Sequence, residues 1–135
     1  MQNRERTARG LVISGSLVLF ATAALHGFVG YPALSRALSG TNLRRFLDGG
    51  VRALWLLMSW HWVAVGVVAW VVAFRGRKAR RLVLLICGLF GLVDAIVVFV
   101  AVGLFVGDEM LTLAGLIFMC GAMLFPSGHG PQNGN

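Results

Sequence analysis

Four long apolar runs limit what this chain can fold into more than any other feature of its sequence. They cover residues 11–31, 53–74, 82–106 and 110–125, and charged residues or proline bound them. A helix of about 20 apolar residues crosses the roughly 30 Å hydrocarbon core of a bilayer, whereas a barrel strand needs only about 10 residues of alternating character. Only 13% of the residues are charged, against about a quarter in soluble domains. The sequence therefore predicts an all-α polytopic membrane protein, folded as an antiparallel four-helix transmembrane bundle.

Basic residues are distributed unequally between the two ends of the predicted spans. The arm of residues 1–10 and the second connection together carry eight, whereas the first connection carries four and the third carries none. Basic residues accumulate on the cytoplasmic side of a membrane. We therefore expect both termini on that side, most simply of a bacterial inner membrane. The glycine- and asparagine-rich residues 126–135 are predicted to form a disordered tail.

The second connection is the most basic segment of the chain. We expect it to contact anionic lipid headgroups through five side chains, Arg75, Arg77, Lys78, Arg80 and Arg81. Nucleic acid is not an expected partner, because a short loop held between two helices and lacking aromatic residues does not resemble a nucleic-acid surface. The remaining expected partners are further copies of this chain, in a homo-oligomer, or the subunits of a larger membrane complex.

The connections carry weaker signals. The third connection, residues 107–109, is short enough to predict a tight hairpin closed at Gly107. In the first connection, residues 41–47 read either as a short interfacial helix that stops at Gly49 and Gly50 or as an ordinary loop. Trp55 and Trp70 lie about 22 Å apart along a helix, a separation suited to the two aromatic belts of a membrane protein.

Three titratable residues lie within the apolar runs, where an ionised aspartate costs roughly 2.5 to 3.5 kcal/mol. They are His26, His61 and Asp94, at predicted depths of about 7, 13 and 20 Å from the outer ends of their helices. Asp108 and Glu109 follow at the outer mouth of this series. Intramembrane ionisable residues of this kind commonly face a bundle interior and mark a functional site.

The helical spacing of small residues indicates which faces point inward. His26 shares a stripe with Gly15, Thr22 and Gly30, and Asp94 adjoins a small-residue seam formed by Gly88, Gly91 and Ala95. The evidence for His61 is weaker, because its face is otherwise apolar and the small stripe of its helix, Ser59, Gly66 and Ala73, points elsewhere. We nevertheless predict that the two histidines and Asp94 converge on one outward-facing site.

Several side chains are candidate neighbours of this site: Trp60, Trp62, Tyr31, Thr22 and Glu109. Three interpretations of the site remain open. The polar groups are contacts that fix the helix register, they form a proton or cation pathway, or the histidines hold haem or a quinone-like lipophile beside the aromatic residues, including Phe28. No short-spaced set of ligands predicts a metal site.

The predicted function is accordingly that of a small integral membrane protein whose intramembrane site binds a small or lipophilic ligand or relays protons. A non-catalytic accessory or scaffold subunit is the alternative, and a membrane enzyme acting on a lipophilic substrate is the third reading, with His26 and His61 as the bases. Whether the protein is an enzyme stays open, because the sequence contains no phosphate-binding loop, nucleophile elbow or metalloprotease motif.

Overall fold

The computed structural model describes residues 2–75 and 79–125, and all regular structure within them is helical. The elements are α1 (Gln2–Ala24), a π-helical segment (Leu25–Gly30), α2 (Tyr31–Ser39), α3 (Arg45–Arg75), α4 (Arg80–Val102) and α5 (Val106–Leu124). The first three form one continuous rod. Four helical segments, this rod among them, are long and apolar enough to cross a membrane. The prediction of an all-helical chain with four such helices is confirmed.

Helix α1 packs against both α3 and α5. Against α3, the hydroxyl of Ser16 lies 3.0 Å from the carbonyl oxygen of Gly66, and Phe20 covers the same glycine. Against α5, Gly15 accommodates the ring of Phe118, which is fully buried. Small residues on α1 and α3 thus allow close approach where larger side chains would hold the helices apart.

Helices α4 and α5 meet along the predicted small-residue seam. Gly88, Gly91 and Ala95 are all buried, and Gly115 of α5 faces them. A Cβ atom added to Gly115 would lie 2.8 Å from the carbonyl oxygen of Gly88, so the two backbones touch without intervening side chains. Such close contact lets dispersion forces hold two helices together in an apolar solvent.

The helix ends differ from those predicted. Helix α1 begins at Gln2, so the basic arm is helical, and α3 begins at Arg45 and continues through Gly49 and Gly50. The interfacial helix therefore does not exist as a separate element. The tight turn before α5 is made at Gly103, whose φ of 88° suits glycine, and not at Gly107.

Asp108 is a capping residue and not part of a loop. The backbone N–H of Phe105 donates to its carboxylate at 2.7 Å, and the side chain is buried at the third position of α5. A carboxylate there satisfies a free backbone donor and interacts favourably with the positive end of the helix dipole. Glu109, by contrast, is exposed.

An ion cluster closes the opposite end of the helices. Glu5 accepts a hydrogen bond from Arg9 at 2.8 Å and from Arg80 at 3.0 Å, and the Arg80 guanidinium lies over the ring of Phe125. Arg80 is buried, and its hydrogen bond to Glu5 engages a side chain that the sequence assigns to lipid headgroups. Arg75 and Arg81 are exposed, whereas Arg77, Lys78 and the tail of residues 126–135 lie outside the described residues.

Candidate functional site

His26 lies in the π-helical segment, the one irregularity of the long N-terminal rod. Its carbonyl oxygen accepts the backbone N–H of Tyr31, as a π-helix requires, and it also accepts the indole N–H of Trp55 at 2.9 Å. The imidazole stacks on the Trp55 ring at a centroid distance of 4.0 Å with 8° between the planes. Single π-helical turns within α-helices are frequently found at functional sites.

Helix α3 holds the His26 ring from two further directions. The hydroxyl of Ser59 lies 2.9 Å from Nδ1, and the Trp62 ring meets the imidazole edge-on at 4.9 Å. Trp55, Ser59 and Trp62 are spaced four and three residues apart, so they share one helical face, and Gly66 extends it toward α1. Three different contacts therefore fix the orientation of this imidazole.

Two of these residues were missed by the sequence interpretation. Trp55 was predicted to lie in an aromatic belt, and Ser59 was assigned to a stripe separate from the site. The signal that identifies them is the run of Trp55, Ser59, Trp62 and Gly66 at helical spacing, which combines polar and small residues on the face that packs on α1. A tryptophan near the end of a span occupies the same position whether it belongs to an aromatic belt or to a binding site. Its position in the sequence therefore does not distinguish the two roles.

Asp94 on α4 is in contact with two side chains of α3, one through a hydrogen bond and one as a close ion-pair contact. The indole N–H of Trp62 lies 3.0 Å from Oδ2, and Nε2 of His61 lies 3.2 Å from the same oxygen. The His61 ring also meets Phe90 edge-on at 5.8 Å. The structure therefore brings His61 and Asp94 into direct contact, and it connects Asp94 to His26 through the indole of Trp62.

The structure places His61 and Asp94 side by side, with Nε2 of His61 3.2 Å from Oδ2 of Asp94, whereas the sequence predicts different depths for them. Those depths are counted from helix ends that differ in the structure, since α4 ends at Val102, four residues earlier than predicted, and α3 begins at Arg45. Each imidazole has a polar partner of its own, since Nδ1 of His26 lies against Ser59 and Nε2 of His61 against Asp94.

A cavity of about 510 Å³ adjoins His26. Its lining is almost entirely apolar and comes from the rod, from α3 and α4, and from the turn that starts α5. Four residues with polar side-chain atoms, His26, Trp55, Trp62 and Thr22, are among the lining residues. The remaining wall is formed by Leu25, Val29, Gly30, Ala33, Leu34, Ala37, Val98, Phe105, Val106, Gly107, Met110 and Leu111.

The other predicted neighbours lie away from this cavity. Trp60 is 71% exposed and Phe28 is 84% exposed, on the outer surface of the helices, and Glu109 is exposed as well. Tyr31, half-buried, begins α2. Thr22 and Trp62 are the two predicted neighbours that line the cavity.

The arrangement suits recognition of a lipophile that carries one polar group. Pockets for small molecules commonly measure about 300–1,000 Å³ and combine apolar walls with a few well-placed polar atoms. Within residues 2–75 and 79–125, no three His, Cys, Asp or Glu side chains cluster as a metal site would require. Comparison with protein-family models, with curated proteins and with solved structures finds no match for this chain.

Proposed function

We propose that this chain is an integral protein of a bacterial inner membrane that binds a small lipophilic ligand in the cavity beside His26. Its four apolar helices cross the bilayer as an antiparallel bundle with both termini in the cytoplasm. The observation that carries the proposal is the cavity of about 510 Å³, whose wall is almost entirely apolar and includes His26. Among the described residues of the second connection, Arg75 and Arg81 are exposed and can contact anionic headgroups.

Ligand binding is favoured over proton relay by the chemistry of Trp62. A relay needs groups that both accept and release protons. Trp62, which lies between His26 and Asp94, meets the imidazole edge-on, and its indole N–H only donates, to Asp94. His61 and Asp94 lie in contact, but the path from them to the cavity passes through Trp62, whose indole nitrogen accepts no proton. The cavity wall, in contrast, offers one imidazole held rigidly by stacking on Trp55.

The second candidate is an accessory or scaffold subunit of a homo-oligomer or larger membrane complex. It is favoured by the finding that His26, His61 and Asp94 each have a partner on another helix. Interhelical hydrogen bonds of this kind stabilise membrane bundles by about 0.6 kcal/mol on average. A membrane enzyme with His26 as a base is the third reading, and it requires the same bound lipophile.

A fluorescence titration tests ligand binding. In a Trp60→Phe, Trp70→Phe variant, the two remaining tryptophans, Trp55 and Trp62, line the cavity. We expect 2-methyl-1,4-naphthoquinone, a lipophilic quencher, to quench this purified variant in detergent saturably, because the probe occupies a single site beside both rings. N-acetyltryptophanamide in the same micelles is the control. Quenching that rises linearly for both samples would reflect partition into the micelle and would contradict the proposal.

The membrane orientation is tested by cysteine labelling. In a background with Cys87→Ala and Cys120→Ala, we expect Ser39→Cys in intact cells to react with an impermeant maleimide, because this exposed residue ends α2 on the predicted outer side. Ala79→Cys, before α4 at the other end of the bundle, is the matched control and should react only after permeabilisation. The reverse pattern would overturn the orientation.

A further inference from the structure

We infer that the ligand presents a hydrogen-bond acceptor of the carbonyl type, as in a ketone or quinone, to the Nε2–H group of His26. This inference deepens the proposed function and rests on it. It follows from assigning each polar hydrogen around the cavity to its acceptor. A donor that already bonds to an acceptor within the protein is not available to a ligand.

Three of the four polar side chains in the cavity wall have committed their hydrogens. The indole N–H of Trp55 donates to the carbonyl oxygen of His26, and that of Trp62 donates to Asp94. The hydroxyl of Thr22 donates to the carbonyl oxygen of Val18 at 2.8 Å. His26 is therefore the side chain in this wall with a ring nitrogen still able to bond to a ligand.

Ser59 decides which hydrogen-bonding character that nitrogen has. Serine hydroxyls inside helices usually donate to the carbonyl four residues earlier, as Ser16 does. Ser59 makes no such bond within the described ranges, where Nδ1 of His26 is its one hydrogen-bond partner. If Nδ1 carried the proton, the Ser59 hydroxyl hydrogen would have no acceptor, which costs about 1–3 kcal/mol in an apolar setting.

The neutral imidazole consequently carries its proton on Nε2. In that tautomer the Ser59 hydroxyl donates to Nδ1, and the Nε2–H group is left to donate to a ligand. Stacking on Trp55 and the edge contact with Trp62 hold the ring plane, so this donor has a fixed direction. A ligand hydroxyl would add a hydrogen for which the wall has few acceptors, whereas a carbonyl adds none.

Two probes that differ only at the polar group test the inference. These are 2-acetylnaphthalene and its isostere 2-isopropenylnaphthalene, in which a CH₂ group replaces the carbonyl oxygen. Affinities are measured by equilibrium dialysis of the detergent-solubilised full-length protein and corrected for partition into micelles. We expect the ketone to bind about 10-fold more tightly, the range of one net hydrogen bond. His26→Phe and Ser59→Ala should each abolish most of that preference, and Ser14→Ala, an exposed site on α1, should retain it.

A second measurement needs no ligand and no variant of the site. In protein labelled with ¹⁵N-histidine, we expect the His26 signals to show a protonated Nε2 and an unprotonated Nδ1. Equal binding of both probes by the native protein would leave the cavity proposal standing and overturn the carbonyl inference, as would a protonated Nδ1. Failure of both probes to bind would overturn the proposed function and the inference together.

Discussion

Filling the cavity from α2 is expected to weaken binding of 2-methyl-1,4-naphthoquinone by at least about 10-fold. The change is the double variant Ala33→Phe, Ala37→Phe, whose positions are one helical turn apart and both line the cavity. Two phenyl rings would occupy much of a space of about 510 Å³ and leave too little for a bicyclic probe. The measurement is the saturable tryptophan quenching in the Trp60→Phe, Trp70→Phe background.

The matched control for this variant adds the same rings elsewhere. Ala21 and Ala24 are exposed on α1 and lie outside the cavity wall. Ala21→Phe, Ala24→Phe should therefore bind the probe as the parent does. If the cavity-filling variant, folded by circular dichroism, kept the parent affinity, the probe would bind elsewhere and the proposed site would be wrong.

The largest effect on stability is expected at Gly115. A Cβ atom there would lie 2.8 Å from the backbone oxygen of Gly88 and 3.0 Å from Leu92, and a backbone oxygen cannot rotate away. Gly115→Val should therefore force α4 and α5 apart. We expect it to lower the free energy of unfolding by about 1–3 kcal/mol, the usual cost of overpacking. Unfolding in detergent, followed by circular dichroism, measures the loss.

At Gly49, in contrast, we expect a larger side chain to stabilise the protein. It lies in helix α3 with no atom within 4 Å of an added Cβ. Gly49→Ala should therefore stabilise the protein by about 0.5–1 kcal/mol, because alanine loses less backbone entropy in a helix. Equal stability of Gly115→Val and the parent would show that the α4 and α5 backbones are not in close contact.

The number of helices could be predicted from the sequence because the bilayer core sets one length and one composition for every span. Helix ends could not, because helical hydrogen bonding continues past the apolar run. Helix α3 passes through Gly49 and Gly50 although both disfavour helix, and Asp108 resembles a loop residue until the turn at Gly103 places it at a helix start.

The candidate site was predictable in its composition but not in its organisation. His26, His61 and Asp94 are conspicuous because polar groups are rare in apolar spans. Trp62 connects these residues because α3 packs between the N-terminal rod and α4. The spacing of residues along one helix does not predict how that helix packs against its neighbours. The π-helical segment at His26 is likewise invisible in the sequence, since the indole of Trp55, 29 residues away, supplies a second donor to the His26 carbonyl.

Photolabelling in native membranes tests most directly whether a lipophile occupies the cavity beside His26. Benzophenone is an aryl ketone that inserts into nearby C–H bonds on irradiation, and the labelled peptides are identified by mass spectrometry. We expect labels on cavity residues such as Leu34, Val98 and Met110, and their loss when excess 2-methyl-1,4-naphthoquinone competes. Labels spread over lipid-facing residues such as Val100 and Leu116, unchanged by the competitor, would contradict it.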